Sequence, residues 1–253
     1  MAFGDKNPRS YYNYEHILRE MRGGVVFICL RDAQEIFNSW DARARNPNDN
    51  LWDPGLNWFI AYLEIVALQH VMAEHDLSNV YLVNYSHLVR PETRIDATRQ
   101  VFELLGLVPE RETEDFLSVS LKKTITVLEK KRGRSSAQNE ILNTSHMRCY
   151  AELLDGIDIT PVVAVKTKLE EFSNRLQSED RRFRGVFDDI VRELEDDAPF
   201  KATWAKTTDM MKECFAAPPL IDLVNRTDEL LGMKPRRLGR RRLKSAFKAL
   251  FKR

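Results

Sequence analysis

The sequence predicts an α/β fold with a parallel sheet and a helical C-terminal part. Three observations predict it. Val25 to Leu30 (VVFICL) is a short, β-branched, continuously apolar run. Val80 to Val83 is a second such run, and segments of helical composition stand before, between and after the two. Continuous rather than alternating apolarity suits strands covered on both faces, and strands separated by helices suit parallel pairing.

Taken in order, Pro8 to Met21 fits a helix entered through Pro in its first turn, and Val25 to Leu30 follows Gly23-Gly24 as a buried strand. Ala33 to Arg45 has helical composition. Asp53-Pro54 supplies a capping side chain and a first-position Pro for a long apolar pattern, Leu56 to Glu74, expected to be a buried helix. After the Val80 to Val83 strand, Pro91 to Leu105 reads as a helix stopped by Gly106, with Pro109 beyond. Beyond Tyr150 the patterns Pro161 to Leu176, Arg181 to Leu194, Ala202 to Phe215 and Leu220 to Leu231 all read as helices, with no clear strand among them. The expected organisation is an α/β core over 1–150, a helical region over 151–233 and a basic amphipathic tail over 234–253.

The chain has 253 residues, 43% of them hydrophobic and 30% charged, enough for one substantial core. No apolar run approaches the roughly 20 residues that span a bilayer, and the first ten residues lack a signal-peptide pattern, so a cytoplasmic address is expected. Cys29, Cys149 and Cys214 are far apart, with no CxxC pair and no His cluster at ligand spacing, which supports neither a disulfide framework nor a metal site. No GxSxG elbow appears, and His16, His70, His75, His87 and His146 form no catalytic grouping, which argues against a hydrolase.

Net charge is +1, but Lys234 to Arg253 holds ten Lys/Arg and no acid, leaving a body with 29 basic against 38 acidic residues. That acidic body argues against a broad nucleic-acid-binding surface. In the tail, Leu243, Phe247, Leu250 and Phe251 recur at helical spacing among basic residues. The pattern suits an anionic membrane surface, docking on the negative body, or nucleic acid through the tail alone.

In open α/β sheets ligands sit outside the carboxyl ends of the strands, which points at Arg31 and Tyr85. Arg31 leaves the first strand, and Ser39 follows eight residues later on the next helix. A guanidinium grips two phosphate oxygens and a hydroxyl completes the shell; equally, an Arg after a strand is often a surface or ion-paired residue.

Val25 to Trp40 (VVFICLRDAQEIFNSW) resembles the sulfotransferase segment in which a strand ends in Arg-Asp-Pro and a Ser follows eight residues after the Arg. Ala33 replaces the Pro. The resemblance implies that Arg31 and Ser39 bind the 3′-phosphate of 3′-phosphoadenosine 5′-phosphosulfate. Phe3 to Tyr12 (FGDKNPRSYY) resembles the Glu-Lys-Ser-Pro segment of the family's carbohydrate-modifying and bacterial branches, which implies Asp5 as general base and Lys6 as stabiliser of the transferring sulfuryl group. Val80 to Pro91 (VYLVNYSHLVRP) resembles the family strand that ends in Tyr-Glu-Asp-Leu, and Leu104-Leu105-Gly106-Leu107 its following turn. Tyr85 thereby inherits a place near the adenine. His87, where the family has an acid, reads as a polar turn residue. The run Lys130-Lys131-Arg132-Gly133-Arg134 matches a family loop over the 3′-phosphate, so Lys131, Arg132 and Arg134 are candidate phosphate contacts, although such runs are also ordinary solvated loops.

The matching segments cover roughly Phe3 to Leu107 in family order. They imply a P-loop-like sulfotransferase fold and sulfuryl transfer to a hydroxyl of a carbohydrate or similar acceptor. The family's loop for the 5′-phosphosulfate lies before these segments, and no GxxxxGK[ST] or GxGxxG occurs here. The expectation is an N-terminally shortened member: a truncated enzyme, one completed by a partner or second copy, or a fold serving binding and scaffolding alone.

Overall fold

The computed structural model describes residues 24–50, 52–75, 77–90, 92–108, 135–179, 181–214 and 218–233. The expected helix over 8–21, the candidates Asp5, Lys6, Lys131, Arg132 and Arg134, and the tail over 234–253 lie outside the described residues.

Strand β1 (Val26–Leu30) runs into helix α1 (Ala33–Ala44), whose start is capped by Asp32 accepting from the Glu35 amide. Helix α2 (Trp58–Glu74) follows, then strand β2 (Val80–Asn84) and the short helix α3 (Tyr85–Val89). Helix α4 (Arg94–Leu104) ends at Gly106, which takes a left-handed φ of 66°. The chain continues through α5 (Ser136–Leu142), α6 (Ser145–Asp155), strand β3 (Ile159–Pro161), a 3₁₀ turn (Val162–Val165) and α7 (Lys166–Ser178). Helices α8 (Arg181–Glu193), α9 (Ala198–Cys214) and α10 (Pro218–Leu230) follow.

The molecule is a mixed α/β protein in which helix predominates over a small mixed sheet of order β1-β2-β3. The expected parallel pairing is present between β1 and β2, in a register that sets Val26 beside Val80 and Leu30 beside Asn84. Beyond Tyr150, where only helices were expected, β3 adds antiparallel to β2 with Val83 opposite Ile159. Three residues including a Pro carry too little pattern to announce a strand; the pairing with β2 makes it one. The helix expected from Pro161 begins instead at Lys166, after the 3₁₀ turn. Among the described residues β1 is not covered on both faces: Val26, Phe27 and Ile28 are half-buried and Cys29 is exposed.

Helix α2 is the centre of the molecule. It is apolar on all sides, as a helix buried all round must be, and Phe59 to Leu63 are essentially inaccessible. Helices α1, α7 and α10 pack against it. Its cap is Asn57, which accepts from the Phe59 and Ile60 amides, not Asp53 as the Asp53-Pro54 pair suggested. Asp53 instead accepts from the Gly55 amide at 3.1 Å and from the Thr203 hydroxyl, tying the preceding loop to α9. A Cβ on Gly55 would collide with the Pro199 carbonyl oxygen and the Thr203 side chain, so this close approach requires glycine. Among the described residues one buried apolar cluster includes side chains from Leu30 to Leu231, and position 150 falls within α6.

Candidate functional site

Parallel pairing of β1 with β2 brings their carboxyl ends side by side, Leu30 opposite Asn84, with Arg31 and Tyr85 the next residue on each. Because β3 runs the other way, its amino end meets the same edge, and the Asn84 amide donates to the Asp158 carbonyl at 2.9 Å. One edge of the sheet therefore presents Arg31, Tyr85, His87 and Asp158 from three strand ends.

The Arg31 guanidinium carbon lies 5.1 Å from the centroid of the Tyr85 ring, a cation–π arrangement across the two strand ends. Its Nε donates to Glu35 Oε2 at 2.7 Å, closing an ion pair with the first turn of α1. Its carbonyl accepts from the Tyr150 hydroxyl at 2.6 Å. Burial pushes the Tyr150 hydroxyl well up, so it remains protonated and serves as that donor. The turn is thus held by a cap on one side and a buried phenol on the other, while the guanidinium stays partly open, its side chain 22% exposed.

Ser39 is half-buried on α1. It lies four residues beyond Glu35 on the same helix face, about 6 Å further along the axis. Among the described residues no hydrogen bond joins it to Arg31. The structure brings Arg31 and Tyr85 together; along α1, Glu35 comes between Arg31 and Ser39 in the succession of turns.

At the other end of the edge His87 Nδ1 is 2.6 Å from Asp158 Oδ1. An ionised carboxylate only accepts, so Nδ1 carries the hydrogen of this bond, and Nε2 is the ring nitrogen that the bond does not use. Asn84 braces the arrangement. Buried at the end of β2, it accepts from the Ser86 amide at 3.0 Å and the Ser86 hydroxyl at 2.7 Å while donating to the Leu154 carbonyl at 3.1 Å. The Thr93 hydroxyl donates to the His87 carbonyl at 3.0 Å. No local pattern marks Asp158 or Tyr150, which lie 71 and 119 residues from their partners. Glu35 was legible as the i+4 neighbour of Arg31, a spacing that pairs opposite charges on a helix.

Away from this edge, a cavity of about 740 Å³ lies between the α7–α8 corner and α10, with Leu176, Phe183, Phe187 and Leu223 as its apolar wall. Asp188 at its rim is held by Arg226 through two hydrogen bonds of 2.7 and 3.0 Å. Among the described residues no group of three or more His, Cys, Asp or Glu side chains is arranged to hold a metal ion, and no helix is long and apolar enough to cross a membrane. Comparison with protein-family models, with curated proteins and with solved structures returns no match.

Proposed function

We propose that the carboxyl edge of the β1–β2 pair binds the 3′-phosphoadenosine part of a sulfuryl donor, and that the protein is a sulfotransferase-like chain acting on a hydroxyl of a carbohydrate or similar acceptor. The observation that carries this reading is the convergence of Arg31 and Tyr85 at adjacent parallel strand ends, the guanidinium 5.1 Å from the ring. A phosphate needs a charged donor and an adenine needs a flat apolar face, and these two side chains supply one of each. Ser39, further along α1, is the candidate hydroxyl. In transfer, the acceptor oxygen bonds to sulfur while the sulfur's bond to the 5′-phosphate oxygen breaks and the leaving oxygen keeps the electron pair. Asp5 would take the acceptor's proton and Lys6 would offset the developing charge. Lys131, Arg132 and Arg134 are proposed to close over the 3′-phosphate.

A second reading is a binding or scaffolding protein of the same fold without transfer. Transfer of a labelled sulfuryl group to any added hydroxyl compound separates the two.

The first test is calorimetric titration of the full chain with 3′-phosphoadenosine 5′-phosphate beside an Arg31→Ala variant. A charge-assisted hydrogen bond is worth about 1.5 to 3 kcal/mol, so the substitution is expected to weaken binding roughly 10- to 150-fold. A folded wild-type chain that binds no nucleotide would remove the donor site from consideration.

A further inference from the structure

We propose that Glu35 is an intramolecular competitor of the ligand: its carboxylate occupies the Arg31 guanidinium until a phosphate displaces it, so that Glu35 sets the affinity and selectivity of the site. The inference rests on the reading of this edge as a 3′-phosphate site and concerns how that site is controlled.

The geometry is that of a substitute anion. A guanidinium offers its N–H groups to carboxylate and phosphate alike. Here its Nε is taken by Glu35 Oε2 at 2.7 Å. Ser39 stands one turn beyond Glu35 on the same face of α1, so a phosphate gripped by both Arg31 and Ser39 has to lie over the turn that carries Glu35. Carboxylate and phosphate draw on the same guanidinium over the same turn and, being of like charge, oppose one another there.

The competitor is also releasable. The Glu35 side chain is 48% exposed, and its only hydrogen bond among those described runs to Arg31, so it can turn into water without leaving a buried group unpaired. What caps α1 is the bond from the Glu35 backbone amide to Asp32 at 2.9 Å, which a change of the Glu35 side chain leaves in place. A ligand that brings a phosphate to Arg31 replaces the ion pair it breaks. A nucleotide lacking the 3′-phosphate brings no anion to that position and leaves the pair intact. Selectivity for the 3′-phosphorylated nucleotide thus has a component set by the protein's own carboxylate.

The test is calorimetry on the full chain, comparing wild type, Glu35→Gln and Arg31→Ala with two probes, 3′-phosphoadenosine 5′-phosphate and adenosine 5′-phosphate. Glu35→Gln is expected to tighten the first probe about 3- to 10-fold and to leave the second within about twofold, the scale of one exposed unit charge a few ångströms from a phosphate. Arg31→Ala is expected to weaken the first probe. Unchanged or weaker binding of the first probe by Glu35→Gln overturns the competitor role while leaving the site standing. Equal tightening of both probes also overturns it, because a general charge effect then accounts for the result. If neither wild type nor Glu35→Gln binds either nucleotide, the site reading fails and the competitor role falls with it.

Discussion

Two histidines in this molecule each face a carboxylate, and they are built to opposite ends. His146, at the start of α6, is fully buried. Its Nδ1 is 2.9 Å from Glu179 Oε1 and its Nε2 is 3.0 Å from the Tyr62 hydroxyl on α2. The Glu179 acceptor fixes the hydrogen on Nδ1, so Nε2 accepts from Tyr62, whose hydroxyl is kept protonated by burial and by the Glu179 charge. The Phe172 and Phe183 rings meet the imidazole at 86° and 81°. Every valence of that ring is spent. His87, at the sheet edge, is 27% exposed, pairs with Asp158 through Nδ1, and has no Nε2 partner among the described residues. The buried pair joins three elements; the exposed one leaves a nitrogen available. A histidine–carboxylate contact alone therefore says little about function, and the second nitrogen decides.

The largest effect expected from this contrast is on stability. His146→Ala removes two buried hydrogen bonds, strands the Tyr62 hydroxyl and opens a void among aromatic rings, a combination that costs about 3 kcal/mol in urea unfolding. A loss no greater than that of an exposed pair would break the comparison at its root.

The next effect concerns pH. Burial lowers the proton affinity of His146 against the opposing pull of Glu179, so the unfolded imidazole takes up its proton first as pH falls. The unfolded state then binds more protons, and stability present above about pH 6.5 is lost as the pH drops below it, at most about 1.4 kcal/mol per pH unit for one proton. Glu179 adds loss of the same sign at lower pH: burial opposes its ionisation, but the hydrogen bonds from His146 outweigh it and hold the carboxyl below its usual range. His70, lowered chiefly by burial, contributes in the same direction as His146. Urea melts between pH 7.5 and 5 are expected to show a shallower decline for His146→Gln than for wild type, with the contribution of His70 retained. An equal slope would show that His146 titrates alike in both states.

The same contrast explains how much of the molecule was legible beforehand. The strands Val26–Leu30 and Val80–Asn84, and α1 between Asp32 and Arg45, announce themselves through local patterns that tertiary contacts merely accept. The cap of α2 was misplaced because two capping side chains, Asp53 and Asn57, lie four residues apart, and what diverts the first is Thr203, 150 residues on. The strand Ile159–Pro161 exists only by pairing with β2, and the His146–Glu179 contact only because α6 and α7 pack together. At the sheet edge the outcome is mixed. Arg31 and Tyr85 were locatable from the strand ends, whereas the Asp158 that orients His87 had no signal in its own neighbourhood.

The smallest effect is the one expected at His87. Its partner Asp158 is 50% exposed, and pairs of that kind contribute about 0.2 to 1 kcal/mol, so His87→Ala is expected to shift the urea unfolding free energy by less than about 1 kcal/mol. A small shift alone does not distinguish an available nitrogen from an inert one, but chemistry at Nε2 does. An acylating reagent such as diethyl pyrocarbonate reacts with a solvent-accessible neutral imidazole, and peptide mass spectrometry of the native chain assigns the product to a residue. His87 is expected to be modified while His146, both nitrogens engaged, is protected until the chain unfolds. Protection of His87 in the native state would mean that its second nitrogen is covered after all, and the edge would then be as closed as the core.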